Sequence, residues 1–341
     1  MPYRKDMEKY LITGAAGQLG YALQAAFGGE DRNAMPRARE SFDITDTEQV
    51  RERIVAVKPD VVINCAAFTD VPRAERDRET CWRVNALGVD NLARACSEHN
   101  IPLFHISTDF VFGQDFARCA GRKFDPTQSP LLDLAEAKRQ QALYTEECPV
   151  GPVGFYAMSK AAGEHALLTR AAQNPEFNYF IIRTAGLFEK PWRQANNFPF
   201  KIARKLFKGG HEPVNVVADV FTNICYVDHL VAAIKWMVES RDEWSSEVGP
   251  VVANGIYHIA NQGNASWCDI AKRIASRLGT GPHVQASSRQ EYASSIGMPE
   301  SSTPSFTCLD LGKYHETFGP PMPTWQTAID LWCEQAKKYF R

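Results

Sequence analysis

The sequence has no run of about 18 apolar residues of the kind that spans a membrane. It also has no CxxC pair and no HExxH motif, so no zinc-binding pattern is present. The N-terminal stretch MPYRKDMEKY lacks the apolar segment of a secretory signal. The nine cysteines are odd in number and scattered. We therefore expect reduced thiols, a cytoplasmic location, no metal and no membrane association.

Neither sign of charge is in large excess. Lys and Arg number 38 against 40 Asp and Glu, which leaves a formal net charge of −2. This balance argues against nucleic acid as a partner. With 341 residues, 44% hydrophobic and 23% charged, the chain is expected to be globular, with two lobes or one large α/β unit.

Strand-like and helix-like segments alternate over the first half of the chain. The strands are predicted at 9–13, 61–67, 101–107 and 179–184, and the intervening helices at 19–27, 81–99 and 156–170. This alternation predicts an α/β fold, a Rossmann-like doubly wound parallel sheet. We assign 1–188 to a dinucleotide-binding domain, with returning elements around 212–260, and 189–341 mainly to a smaller C-terminal substrate lobe.

A glycine turn follows the first strand. Gly14, Gly17 and Gly20 form GxxGxxG between this strand and a helix. Such a turn lets the backbone approach a diphosphate, and the helix N-terminus adds free N–H groups and a partial positive charge. The alternative is a tight turn without a ligand, but the flanking strand and helix favour a dinucleotide site.

Cofactor choice depends on the region about 20 residues further on, where NAD-binding chains carry an acidic residue. Arg37 and Arg39 lie there instead, and an arginine can accept the adenosine 2′-phosphate. We therefore expect NADPH, with NADH as the alternative. Asp43 and Ile44 are expected beside the adenine, although Asp43 could equally be a turn residue.

Tyr156 and Lys160 form YxxxK at the start of a predicted helix, and the i, i+4 spacing places both on one face. A tyrosine with its usual pKa of about 10 can donate a proton at neutral pH, and a nearby cation lowers that value. Lys160 would be this cation and could also hold ribose hydroxyls. Thr108 and Asp109 end the strand before this helix, at the sheet edge where α/β proteins bind ligands. The Thr108 hydroxyl could hydrogen-bond a substrate carbonyl.

Taken in order, TGAAGQLG, DVVINCAAFTDVPRAE, VNALG, ISTDFVF, YAMSKAAGE and IIRTAGLF resemble the extended short-chain dehydrogenase/reductase superfamily. Within it the chain looks most like the dTDP-4-dehydrorhamnose reductases. This resemblance implies hydride transfer from a reduced nicotinamide to C4 of a nucleotide-linked 4-keto-6-deoxy sugar. In that family the nucleotide carrier is dTDP. Tyr156 would protonate the alkoxide, Lys160 would orient the ribose, and Thr108 would bind the carbonyl.

The resemblance also implies further site residues. It places Gln18, Leu19, Ala66, Ala67 and Thr69 along the cofactor, with Asn85 in a supporting position. For the sugar we expect contacts from Thr108, Asp109, Phe110, Tyr156, Gly186 and Asn197.

Several positions depart from the family pattern. Gly186 stands where the family usually has Trp, and Phe110 where it usually has Tyr. Loss of an indole would remove about 150 to 250 Å² of packing surface beside the sugar. Residues 114–155 are inserted between Thr108 and Tyr156, so we expect this segment to border the sugar site; a surface excursion or subunit contact is the alternative.

Three functions fit the sequence. The first is an NAD(P)H-dependent reductase of a nucleotide-activated 4-keto sugar. The second is a related epimerase or dehydratase that recycles bound NAD, and the third is a non-catalytic NADP-binding regulatory subunit. A homodimer is compatible with each of them.

Overall fold

The computed structural model describes residues 9–28, 42–113, 143–191, 197–208, 212–240, 254–280, 284–297, 299 and 302–340. The chain divides into two compact units and passes between them several times. The first comprises Met1–Thr108, Phe155–Arg183 and Val231–Tyr257; the second comprises Asp109–Gly154, Thr184–Leu230 and His258–Arg341. The domain boundaries expected from the sequence remain a prediction.

Five strands of the described residues form a sheet at the centre of the first unit. Its order is β1 (Tyr10–Thr13), β2 (Val61–Asn64), β3 (Leu103–Thr108), β4 (Tyr179–Thr184) and β9 (Gly255–His258). β1 pairs in parallel with β2, and β2 with β3. The strands are almost continuously buried, as expected for a parallel sheet covered on both faces. The predicted Rossmann-like fold is confirmed.

Helices pack against this sheet and bury its apolar side chains. The helices of the first unit are Gln18–Phe27, Thr47–Val57, Val71–Ala74, Arg78–Trp82, Gly88–Glu98, Phe155–Gln173 and most of Val227–Glu239. Leu11, Val62, Leu103 and Ile181, from four strands, join one buried cluster with residues of these helices. The carboxyl ends of β1, β2 and β3 are thereby held at one edge of the sheet.

Two details of the helices are specific to this unit. The helix Thr47–Val57 is capped by Asp46, whose carboxylate accepts from the N–H groups of Glu48 and Gln49. The single helix expected at 81–99 contains a π-helical turn, Arg83–Leu87, and π-helical turns are frequent at functional sites.

In the second unit, the described residues form three short strand pairs and several helices. β5 (Gly186–Phe188) runs parallel to β8 (Ile224–Tyr226), and β6 (Val214–Val217) to β11 (Val284–Ser287); β7 (Phe221–Thr222) is antiparallel to β10 (Ala265–Ser266). The helices are Asp109–Val111 (a 3₁₀ turn), Phe198–Lys208, Trp267–Leu278, Arg289–Ser295, Gly312–Phe318 and Trp325–Tyr339. One aromatic and aliphatic cluster, including fully buried Trp332, is the core of this unit.

Regular structure is also present among the described residues of 280–323. β11 pairs with β6, which is distant in sequence, and a Ser288–Glu291 capping box begins the helix Arg289–Ser295. Of the insertion at 114–155, residues 114–142 lie outside the described residues. The Tyr144 N–H donates to the Cys308 carbonyl, and the Tyr144 carbonyl accepts from the N–H of Asp310.

Seven of the cysteines that the structure describes are free thiols, as expected: Cys65, Cys81, Cys96, Cys225, Cys268, Cys308 and Cys333. Cys148 is disulfide-bonded, so the expectation that every cysteine is reduced is wrong. Spacing along the sequence does not reveal which thiols the fold brings together. Within the described ranges, no helix is both long and apolar enough to cross a bilayer.

Candidate functional site

The glycine turn after β1 is required by close backbone packing. Gly14 has φ +65°, and a Cβ on it would lie 2.5 Å from the Ala66 nitrogen. A Cβ on Gly20 would lie 2.4 Å from the Gly14 carbonyl oxygen. Both positions therefore exclude any side chain, and the turn packs directly on the end of β2.

The turn leads into a helix whose N-terminus has no side-chain cap. Gly17 is the N-cap, and the first turn contains no acidic residue. The N–H groups and the positive end of the helix dipole are therefore available for an anion. Gln18, the first helical residue, has a buried Oε1 without a hydrogen-bond partner among the described residues.

A cleft of about 590 Å³ opens beside this turn, entirely within the first unit. Six of the predicted cofactor residues line it: Gly14, Gly17, Asp43, Ile44, Ala66 and Ala67. Gln18, Leu19 and Gly20 belong to the adjoining helix but are not part of the lining, and Thr69 is exposed outside it. Arg37 and Arg39 lie outside the described residues.

Two arginines in the cleft wall were not expected from the sequence. Arg53 and Arg83 both line the cleft, and the Arg83 guanidinium donates to the Thr45 hydroxyl over 3.3 Å. Arg53 comes from the helix Thr47–Val57 and Arg83 from the π-helical turn. Since they lie in different elements without a local motif, only the fold reveals that they share one wall.

Lys160 is almost completely buried, with 2% of its surface exposed. Its Nζ donates to the Ile106 carbonyl of β3 over 2.7 Å. Burial lowers the pKa of Lys160 to about 8, while the negative charge of Glu164 acts in the opposite direction. Lys160 therefore loses its proton at a pH much closer to neutral than an exposed lysine does.

Tyr156 and Lys160 lie on one helix, Phe155–Gln173, as predicted. Tyr156 is half-buried, and its carbonyl accepts a hydrogen bond from Ser159 over 2.7 Å. The Asn85 amide donates to the Ser159 hydroxyl over 3.0 Å. It also accepts from the N–H of Phe68 and donates to the Phe68 carbonyl. Asn85 thus connects the tyrosine helix to the segment after β2.

A buried ion pair lies one helical turn beyond Lys160. Arg183 donates to both oxygens of Glu164, with Nη2 2.7 Å from Oε2 and Nε 3.0 Å from Oε1. Both side chains are 3% exposed. Ser107, next to Thr108 in β3, donates to Glu164 over 2.5 Å. The helix is therefore anchored to β3 and β4 immediately below Lys160. Thr108 is itself buried at the end of β3.

In the second unit, two of the expected substrate residues have structural partners. The Asp109 carboxylate is buried and accepts from Thr307 and from Thr222. The Asn197 side chain is buried and accepts from the N–H of Phe200 in the first turn of a helix. Phe110 is half-buried in the 3₁₀ turn.

Gly186 is exposed, but its Cα faces the edge of an indole from another element. A Cβ at Gly186 would lie 2.9 Å from Cη2 of Trp267, the first residue of the helix Trp267–Leu278. Phe198 packs against the same indole, with ring centroids 4.6 Å apart. The sequence showed that no tryptophan is present at 186. It did not show that the indole of Trp267 lies next to that position.

Residues 8–338 match the family model described as the RmlD substrate binding domain. The chain belongs to this family. The match covers both compact units, and it agrees with the resemblance stated from the ordered motifs.

Members and relatives of the family extend over almost the whole chain. A dTDP-4-dehydrorhamnose reductase of Mycobacterium tuberculosis is 31% identical over 94% of this chain and 91% of its own length. A dTDP-4-keto-6-deoxy-D-glucose reductase of Streptomyces niveus is 28% identical over 94% and 95%. The crystal structure of dTDP-4-dehydrorhamnose reductase from Bacillus anthracis in complex with NADP is 28% identical, covers 95% of this chain and 98% of that one, and gives a TM-score of 0.75.

Proposed function

We propose that this protein is an NADPH-dependent oxidoreductase that reduces the 4-keto group of a dTDP-linked 6-deoxy sugar. The observation that carries the proposal is the arrangement in the first unit. A turn in which Gly14 and Gly20 leave no room for a Cβ borders a cleft, and the Tyr156–Lys160 helix is anchored to the same sheet. Family membership supplies the substrate class, since relatives over the full length are named as reductases of dTDP-linked keto sugars.

The residues of the cleft fit a dinucleotide. The turn at Gly14 and Gly20 leaves no room for side chains, and the uncapped helix at Gly17 presents N–H groups suited to a diphosphate. The unpartnered Gln18 Oε1 is an acceptor still to be satisfied. Arg53 and Arg83 add positive charge to the wall. We assign the preference for NADPH over NADH to Arg37 and Arg39, with these two arginines as additional cationic partners.

Residues of this chain would donate the proton that the reduction requires and would orient the cofactor. The bound reduced nicotinamide supplies the hydride. Tyr156 donates its phenolic proton to the oxygen that develops negative charge at C4. Lys160, with its low pKa, holds the ribose hydroxyls and helps Tyr156 to release this proton. Thr108 hydrogen-bonds the carbonyl oxygen and polarises it.

On the sugar side we propose contacts from Asp109, Phe110, Gly186 and Asn197. The partners of Asp109 and Asn197 support a role in shaping the backbone next to the sugar, because their polar atoms are engaged within the second unit. The Trp267 indole over Gly186 supports a different pocket surface from that of a chain with tryptophan at 186. We keep the insertion 114–155 as a proposed border of this site and a homodimer as the proposed assembly.

A panel of nucleotide-linked 4-keto-6-deoxy sugars, with dTDP and UDP as carriers, tests the function. Each compound is incubated with NADPH or NADH, and both cofactor oxidation and the product sugar are measured. We expect stoichiometric NADPH oxidation and a 4-hydroxy product from a dTDP-linked member.

Two results would redirect the proposal. Product formation without net cofactor oxidation, together with copurified NAD, would show an epimerase or dehydratase. Tight NADPH binding without turnover of any sugar would show a regulatory subunit. In both cases Tyr156→Phe serves as the matched control, because it removes a single hydroxyl.

A further inference from the structure

A chain of buried polar side chains crosses the sheet beneath the cleft. Thr13 ends β1, Asn64 ends β2, His105 lies in β3, and Lys160 reaches them from its helix. Their exposed fractions are 3%, 0%, 0% and 2%, respectively. Buried polar groups of this kind are expected to be fully hydrogen-bonded, so the donors and acceptors can be assigned one after another.

The orientation of Asn64 is fixed by its neighbours. The Ala66 N–H lies 3.1 Å from Asn64 Oδ1, and a backbone N–H can only donate. The Thr13 hydroxyl donates to the same oxygen over 2.6 Å. Oδ1 is therefore the acceptor on this side, and the amide Nδ2 points to His105.

The orientation of Asn64 determines the state of His105. Asn64 Nδ2 lies 3.0 Å from His105 Nδ1. Because Nδ2 only donates, Nδ1 must accept and cannot carry a proton. Burial and the charge of Lys160 hold the pKa of His105 well below its usual value, which agrees with a neutral ring. A neutral imidazole with Nδ1 unprotonated carries its hydrogen on Nε2.

That hydrogen faces Lys160. His105 Nε2 lies 3.4 Å from Lys160 Nζ. An ammonium has three donors and no acceptor, so it repels an N–H donor, whereas a neutral amine accepts from it. The other titratable groups near Lys160 are Glu164 on its own helix, Cys65 after β2 and Cys81 from the helix Arg78–Trp82. Burial raises the pKa of Cys65 to about 12 and also raises that of Cys81, so both thiols are neutral at physiological pH.

We propose that Asn64 holds His105 as the Nε2–H tautomer and that His105 acts as a positioning residue which disfavours the ammonium form of Lys160. The role of Lys160 at the cofactor ribose rests on the proposed function. The assignment of hydrogens to Asn64, His105 and Lys160 does not depend on that function. The same network connects the glycine-turn strand to the catalytic helix. Cofactor binding at the turn and protonation of Lys160 are therefore expected to be coupled.

The wild-type protein provides the first test. Histidine labelled with ¹⁵N is observed by long-range proton–nitrogen correlation, which distinguishes the two tautomers, and His105→Gln identifies the signal. We expect the Nε2–H pattern without protonation between about pH 6 and pH 8, because a buried neutral ring resists charging. An Nδ1–H pattern, or an imidazolium in this range, would overturn the proposal.

Asn64→Asp provides the second test, since it changes the direction of the hydrogen bond without changing the shape of the side chain. The carboxylate still accepts from Thr13 and Ala66, but it can only accept from His105. His105 must then carry its hydrogen on Nδ1 and offer Nε2 as an acceptor to Lys160. We expect the tautomer to switch and the acid dissociation constant of Lys160, followed by ¹³C lysine signals, to fall at least tenfold.

The new carboxylate also attracts Lys160 directly, and Asn64→Asp with His105→Phe separates the two effects. If the tautomer transmits the change, most of the tenfold effect disappears when the imidazole is absent. An equal effect with and without His105 would refute the relay. These measurements need no sugar, so failure of the proposed reductase activity and failure of this inference give different results.

Discussion

Glu164→Gln removes the negative charge from the buried Arg183–Glu164 pair while leaving the side-chain shape almost unchanged. The Arg183 guanidinium would then be a charged group, 3% exposed, facing an amide in place of a carboxylate. Breaking a buried ion pair in this way typically destabilises by about 3–5 kcal/mol.

The amide adds a second mismatch. Its NH₂ group would face an Arg183 N–H donor at either position, because Arg183 donates to both oxygens of Glu164. An unmade hydrogen bond in the interior adds about 1–3 kcal/mol. We therefore expect Glu164→Gln to lower the free energy of unfolding by about 4 kcal/mol or more. This is a large share of the roughly 5–15 kcal/mol by which a typical domain is stable.

The assay is urea denaturation combined with hydrogen exchange of the helix Phe155–Gln173, which reports local opening. The matched control is Glu48→Gln, which breaks a surface pair with Arg51 whose side chains are 67% and 58% exposed. It should change stability by at most about 1 kcal/mol. A Glu164→Gln variant as stable as this control would refute the argument from desolvation. Replacing both Glu164 and Arg183 with Met should be less harmful than the single change, because no buried charge remains.

Four further outcomes are expected. Tyr156→Phe should lower turnover by roughly 100-fold or more while NADPH affinity, measured by fluorescence titration, changes little; near-normal turnover would remove Tyr156 from the chemistry. Because burial lowers the pKa of Lys160 from 10.5 to about 8, the unfolded chain binds more protons between these values. Lys160 should therefore contribute a rise of stability with pH across that window, and a comparison of the wild type with Lys160→Met should show the loss of this contribution. Gly14→Ala should abolish cofactor binding, since its Cβ would lie 2.5 Å from the Ala66 nitrogen at a φ of +65°, and normal NADPH affinity would contradict this. Replacing Arg37 and Arg39 with Ala should reduce the preference for NADPH over NADH; an unaltered ratio would place that selectivity elsewhere.

Local patterns were sufficient for the features that depend on neighbours in sequence. The glycine turn at Gly14 and the YxxxK helix at Tyr156 follow from spacing and from β–α alternation, and the structure places both where the pattern predicts. The parallel sheet follows in the same way, because its strands are apolar throughout.

Features that depend on distant contacts could not be predicted. Arg53 and Arg83 meet in one wall only after two helices are packed. His105 is a single histidine in an apolar strand, and its role depends on the amide of Asn64 and on Lys160 from elsewhere in the chain. No local signal in the sequence marks such partners.

The contact between Gly186 and Trp267 makes the two positions interdependent in evolution and in engineering. A side chain added at 186 forces the Trp267 indole to shift, because its Cβ would lie 2.9 Å from Cη2 of that ring. Conversely, a smaller residue at 267 would leave Phe198 without its aromatic neighbour. Each single replacement is therefore unfavourable, whereas an exchange of bulk between the two positions conserves volume. Substitutions at these positions should show sign epistasis, so the pair has to be varied together in any library that explores the pocket.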